Sequence, residues 1–370
     1  GTATEYRFGV YVAMSGDGNT IAVAARTEHT SSLTDAGVVR VYYLNGSTWT
    51  VLPDSGPFTE IGTGVVDAFV GQTSGAEMGG GGIHLSYDGR TLLITEPNSD
   101  SAGTDRGETR IFTYADGAWS QKGSSINGTV DSEELGSGSD MSEDGNHVVI
   151  GTKGDAANPK VKVYEWNGTN AWQQKGSDLT YSGSDEFGPV VSISNDGNTV
   201  AVGIARADIA DGAPVDDGGL VHVYHWTGSA WGTPHKLRYN SNVDEYFGSI
   251  VVLSGDGITN LVQGRGYYIR RIVKKASSSG IELEYGNDKL ISNILNTYIT
   301  KDKSEMYVAS NSLPDYNIDL NQVESSIAEA SLSSGSIEDL DTDSGNYNIV
   351  SFPTNVPFIT GDEVVYSAGT

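Results

Sequence analysis

Apolar and polar residues alternate along this chain in short runs that return at long intervals. The stretch FGVYVAMSGDGNTIAVAA (residues 8–25) comes back as FGPVVSISNDGNTVAVGI from Phe187 and as FGSIVVLSGDGITNLVQG from Phe247. Anchoring on the Asp-Gly pair gives five copies, at Asp17-Gly18, Asp88-Gly89, Asp144-Gly145, Asp196-Gly197 and Asp256-Gly257. Two residues before each Asp stands a serine: Ser15, Ser86, Ser142, Ser194, Ser254. Three before it the residue is always apolar (Met14, Leu85, Met141, Ile193, Leu253), and five before it come Val12, Ile83, Ser139, Val191 and Val251. That is the period of a half-buried strand.

The Ser-x-Asp-Gly segment suits a tight hairpin, because Asp tolerates the bend and Gly accepts the left-handed backbone beyond it. The runs that follow (IAVAA, LLIT, VVIG, VAVG and the weaker NLVQ) have no polar face, as expected of strands covered on both sides. A second landmark closes each unit: GVVRVYYLNGSTW to Trp49, GETRIFTYADGAW to Trp119, KVKVYEWNGTNAW to Trp172 and GLVHVYHWTGSAW to Trp231. Alternating Val and aromatic residues predict a third strand, Asn-Gly or Asp-Gly a second turn, and the Trp a short fourth strand. One such unit cannot bury its own apolar face, so copies must stack. Four-stranded units repeated at this size predict an all-β fold, a β-propeller of about five blades over residues 1–273. The fifth unit lacks the Trp landmark, and a closed five-blade ring would borrow its missing strand from residues 2–7.

After Lys274-Lys275 the pattern changes. KKASSSG reads as a linker, and IELEY, NILNTYIT, EMYVAS, YNIDL, YNIVSF and DEVVYS as short strands of a smaller β-rich assembly module over residues 274–370. NQVESSIAEASL reads as a helical turn or two.

Charge narrows the partners. The chain has 370 residues with 22 basic and 48 acidic side chains, a net charge of −26, which opposes nucleic acid and anionic membranes. With no cysteine, neither a disulfide nor a thiolate metal site can form. No apolar run is long enough for a membrane helix. The N-terminus GTATEYRFG carries neither a signal peptide nor an initiator Met, which predicts maturation or excision from a longer chain.

The Phe-Gly, Ser-x-Asp-Gly-Asn-Thr and Val-x-Val-Tyr-x-Trp-Asn-Gly elements resemble the FG-GAP (integrin-α-type) propeller repeats. Phe8-Gly9, Phe187-Gly188 and Phe247-Gly248 carry the signature, while Leu135-Gly136 and Gly79-Gly80 depart from it. Integrin-like repeats often hold calcium, but these hairpins carry one Asp plus an Asn, or Arg90 in the second, too few oxygen ligands. LISNILNTYI, YVASNSLPDYNI and NVPFITGDEVVY resemble segments of tail nozzle and fibre proteins from marine tailed phages.

Chemical motifs are sparse. His222 and His225, three apart on a strand, face opposite ways, and His84 reads as a surface or packing residue beside a hairpin. The loop ADIADGAPVDDGG, with Asp208, Asp211, Asp216 and Asp217, is the best calcium candidate, against the plainer reading of a solvated loop. Asn45-Gly46-Ser47, Asn127-Gly128-Thr129 and Asn167-Gly168-Thr169 match the glycosylation sequon, and in two of them turn chemistry explains it. Trp49, Trp119, Trp172 and Trp231 recur at one position, which favours packing between blades over sugar stacking. No catalytic, cofactor-binding or metal residue is assigned, and no cofactor is expected.

The resemblances imply a non-enzymatic structural component of a phage virion, a tail nozzle or fibre protein with the propeller as rigid platform or host-contact module. Its partners would be copies of itself, in a ring, other tail proteins and a host surface glycan. The alternative is a secreted bacterial adhesin or carbohydrate-binding propeller, located outside the cell.

Overall fold

The computed structural model describes residues 7–30, 32–51, 68–153, 159–183, 187–208, 218–237 and 246–257, and beyond these the strands named below. The described residues contain no helix. The first sheet is β1 (Phe8–Met14), β2 (Thr20–Ala25), β3 (Val38–Asn45) and β4 (Thr48–Val51), with β5 (Phe69–Val70) added to β3. The second is β6 (Ile83–Leu85), β7 (Thr91–Glu96), β8 (Glu108–Ala115) and β9 (Ala118–Gln121), with β10 (Ile126–Asn127) on β8. The third is β11 (Gly138–Met141), β12 (His147–Gly151), β13 (Lys160–Trp166) and β14 (Trp172–Gln174), with β15 (Leu179–Thr180) on β13. The fourth is β16 (Val190–Ile193), β17 (Thr199–Ile204), β18 (Leu220–His225) and β19 (His235–Leu237). The fifth is β20 (Ile250–Leu253), β21 (Thr259–Gln263), β22 (Tyr268–Ser277) and β23 (Gly280–Tyr285), with β24 (Lys289–Leu290) on β22. Each is a four-stranded antiparallel meander, the blade of a β-propeller.

Beyond them, β25 (Ile294–Ile299), β26 (Glu305–Ser310) and β27 (Tyr316–Asp319) form a three-stranded sheet, and β28 (Ile337–Glu338) pairs with β29 (Ile349–Val350). The chain divides into Gly1–Asn321 and Gln322–Thr370, so the three-stranded sheet belongs to the first unit and the β28–β29 pair to the second. The expected boundary after Val273 falls within β22. Of KKASSSG, read as a linker, residues 274–277 belong to β22 and Gly280 to β23, with Lys274 paired to Leu283 and Lys275 to Glu282. The fifth blade has β23 as its fourth strand. Residues 2–6 of the N-terminal segment, like the expected helical turns at residues 321–332, lie outside the described residues.

Every Asp-Gly hairpin is locked in the same way. The buried serine donates to the Asp Oδ1 at 2.5–2.6 Å in all five copies. In the first four it also accepts the backbone N–H five residues on. Gly18, Gly89, Gly145, Gly197 and Gly257 have φ between 64° and 72°, the left-handed region where a Cβ would be strained. In the first, third and fourth turns the Asn amide bonds the second carboxylate oxygen, so the turn itself occupies the Asp.

Blades stack in chain order through their first strands, β6 on β1 and β2, β11 on β6, β16 on β11 and β12, and β20 on β16 and β17. The second strands β2, β7, β12 and β17 are almost wholly buried, as their unbroken apolar runs predict. Neighbouring turns are also tied directly. Gly16 N donates to Tyr87 O, Tyr87 N to Glu143 O (both 2.8 Å), and Asn195 N to Gly255 O (2.7 Å). Glu143 and Asn195 complete the series, with Glu143 N donating to Asn195 Oδ1 and Asn195 Nδ2 to Glu143 Oε2.

The blade signature needs one correction. Gly79 N donates to Thr95 O and Gly136 N to Gly151 O, equivalent carbonyls, so the second copy is Met78-Gly79 rather than Gly79-Gly80. Met78, Leu135, Phe187 and Phe247 are equivalent and buried. The second blade has one extra residue between this signature and its Asp-Gly, in the run Gly79-Gly80-Gly81-Gly82. The first blade also departs from expectation. Phe8, Val12, Met14 and Trp49 are 41%, 58%, 56% and 41% exposed, although their counterparts in the later blades are mostly buried.

Candidate functional site

Radial stacking brings the first strands of successive blades side by side, and three of them carry polar groups at one level. Four residues before the Asp-Gly pair, the five blades have Ala13, His84, Asp140, Ser192 and Val252. His84 Nε2 lies 3.1 Å from the hydroxyl of Ser139, the neighbour of Asp140 on β11. His84 Nδ1 lies 3.7 Å from Asp140 Oδ1. Asp140 Oδ2 accepts from Ser192 Oγ and Ile193 N, both at 2.9 Å, while Oδ1 accepts from Met141 N at 2.8 Å. Ser192 Oγ in turn accepts from Leu253 N at 3.1 Å. A polar string therefore crosses four blades, and the imidazole and the Ser139 hydroxyl form its partly exposed end.

A second recurrent position lies on the third strands. Arg40, Arg110, Lys162, His222 and Arg270 stand opposite Val23, Ile94, Ile150, Val202 and Val262 in register. Three of these residues, Arg40, Arg110 and Lys162, hold a glutamate. Arg40 grips Glu28 with two bonds of 2.7 Å, Arg110 binds Glu96 at 2.6–2.7 Å, and Lys162 lies 3.1 Å from Glu133. The Arg110–Glu96 pair is buried, and burial pushes the Glu96 carboxyl up to about 7 against the pull of Arg110. His222 is packed among Tyr181, Phe187 and Tyr224. That burial, with Lys236 nearby, pushes it down to about 4. These are internal ion pairs and packing contacts, so this level of the fold is structural.

The recurrent tryptophans reach the preceding blade. Trp172 Nε1 donates to Lys122 O and Trp231 Nε1 to Lys175 O, each at 2.7 Å. The two lysines lie against the indoles, Lys122 Nζ 5.3 Å from the Trp166 and Trp172 rings and Lys175 Nζ 5.5 Å from Trp226. Trp119 is buried against Phe69 and Tyr114. In the fourth blade Trp231 only bridges Trp226, and the fourth strand starts later, at His235.

Of the acidic loop, Asp208 is exposed, while Asp211, Asp216 and Asp217 lie outside the described residues. No group of three or more potential metal ligands occurs among the described residues. His225 meets Thr199 Oγ1 at 3.1 Å on the opposite side of β18 from His222. His84, expected as a surface or packing residue, is partly exposed and lies against Ser139 and Asp140 of the next blade. Aligning the five copies would have placed it level with Asp140 and Ser192.

No protein family and no curated protein sequence matches the chain. Solved structures do. The periplasmic gluconolactonase of Pseudomonas aeruginosa superposes with a TM-score of 0.50 at 15% identity, over 85% of this chain and 82% of that one. The Swd1 β-propeller domain from Myceliophthora thermophila gives 0.51 at 10% identity, over 85% and 83%. At these identities the likeness defines the fold, a β-propeller, and nothing finer. The first neighbour is nevertheless an enzyme on this fold, and that finding overturns the expectation of a non-enzymatic chain. The expectation had rested on missing sequence motifs, yet a propeller can assemble a site from side chains on different blades.

Proposed function

We propose that the chain is a rigid tail component of a phage virion, with the blades as a platform that faces the host and the C-terminal strands as the part that assembles. The observation that carries this reading is the turn-to-turn bonding from Gly16 through Tyr87, Glu143 and Asn195 to Gly255. Blades bonded to their neighbours by backbone groups, and clamped by the Lys122 and Lys175 latches, resist shear as a tail element must. The likeness of LISNILNTYI, YVASNSLPDYNI and NVPFITGDEVVY to tail nozzle and fibre proteins supports the same setting. Copies would associate in a ring through the part of residues 274–370 that follows the fifth blade, because short strands leave edges that need cover. Immunogold labelling of purified particles with an antibody against the five-blade body tests the proposal. Gold at the tail is the expected result, and particles free of label and of the protein's peptides would overturn it.

A further inference from the structure

We propose that His84 and Ser139 form a nucleophilic site that cleaves small neutral acyl esters, an activity independent of any role in a tail. Ser139 Oγ lies 3.1 Å from His84 Nε2, within reach for proton transfer. The other ring nitrogen faces the Asp140 carboxylate at 3.7 Å, which favours the proton on Nδ1 and leaves Nε2 as the acceptor. Asp140 is held in place by Ser192, Ile193 and Met141, so it acts as a positioning residue.

The backbone that lies against these atoms is glycine. A Cβ at Gly82 would lie 2.7 Å from Ser139 Oγ and 3.4 Å from His84 Nε2, so any side chain there would cover the pair. Gly82 belongs to the run that gives the second blade its extra residue. Among the described residues, the backbone N–H groups of Gly81 and Gly82 donate to no protein acceptor. Ser139 and His84 are only partly exposed, which favours a small acyl group. The net charge of −26 disfavours anionic esters.

In the reaction, Ser139 Oγ adds to the ester carbonyl carbon as its proton passes to Nε2 of His84. The bond to the alcohol oxygen breaks and Nε2 returns the proton to it. Water then attacks the acyl-serine by the same route, releasing the carboxylic acid and restoring the Ser139 hydroxyl. Asp140, held by three hydrogen bonds, keeps the ring aligned through both halves.

The test is covalent labelling of the full-length protein with a fluorophosphonate, followed by peptide mapping. The adduct is expected on Ser139, and labelling should fall at least about tenfold in His84→Gln and vanish in Ser139→Ala. Asp140→Asn should move the pH midpoint of labelling downward, since loss of the carboxylate makes His84 less basic. Each variant is compared at an unchanged melting temperature. No adduct on natively melting protein, an adduct on a different serine, or labelling of Ser139 indifferent to His84→Gln would overturn the proposal.

Discussion

Ser194 Oγ donates to Asp196 Oδ1 at 2.6 Å and accepts the Thr199 N–H at 3.0 Å, so one buried hydroxyl closes the fourth hairpin in two directions. Ser194→Ala removes a bond to a charged group and leaves the Thr199 N–H without that acceptor. Such losses cost about 1.5–3 kcal/mol. Urea titration should show a shift of that size, and a midpoint equal to that of the parent would mean that the turn holds without its serine.

Met14 and Leu253 occupy the same repeat position, yet Met14 is 56% exposed and Leu253 is fully buried. Leu253→Ala should cost about 2–5 kcal/mol, the usual range for a packed core. Met14→Ala should stay within about 0.5 kcal/mol, as surface changes do. Equal effects in a denaturant series would show that the first blade is covered in solution.

The buried Arg110–Glu96 pair offers a sharper contrast. Arg110→Ala leaves the buried Glu96 carboxyl without its partner and should destabilise by about 3–5 kcal/mol, whereas replacing both residues by apolar ones of similar volume should recover most of that loss. Calorimetry of the single and double variants decides it. A double variant as unstable as the single one would argue that the packing of Arg110, and not the charge, matters.

His222 sets an acid limit. Its folded value of about 4 lies below the ordinary 6.5, so between those values the unfolded chain binds the proton more readily and stability falls as the pH drops. The melting temperature should therefore fall less between pH 7 and pH 4.5 in His222→Phe than in the parent. The difference between the two drops is the quantity to read, since the substitution also changes packing. Parallel curves would show that His222 does not titrate in this window.

The repeat architecture was open to reading from residues alone because it rests on local physics. Alternation at period two, Ser-x-Asp-Gly turn chemistry and a glycine that accepts positive φ are properties of short segments, and they located the first strands and hairpins of all five blades. The likeness between copies could not say which of them is covered. Met14 and Leu253 read alike, and only their packing separates them, Met14 being exposed and Leu253 buried. The fourth strand of the fifth blade was hidden because KKASSSG carries linker composition, while cross-strand pairing of Lys274 and Lys275 draws it into a hairpin. The shift from Gly79-Gly80 to Met78-Gly79 was hidden by an inserted glycine that fixed spacing cannot detect. His84, Ser139, Asp140 and Ser192 meet only when three sheets converge, since hydrogen bonds between blades depend on distances across some fifty residues of chain. The sequence by itself determined the blade; the stacking of blades determined what each copy of the same residue does.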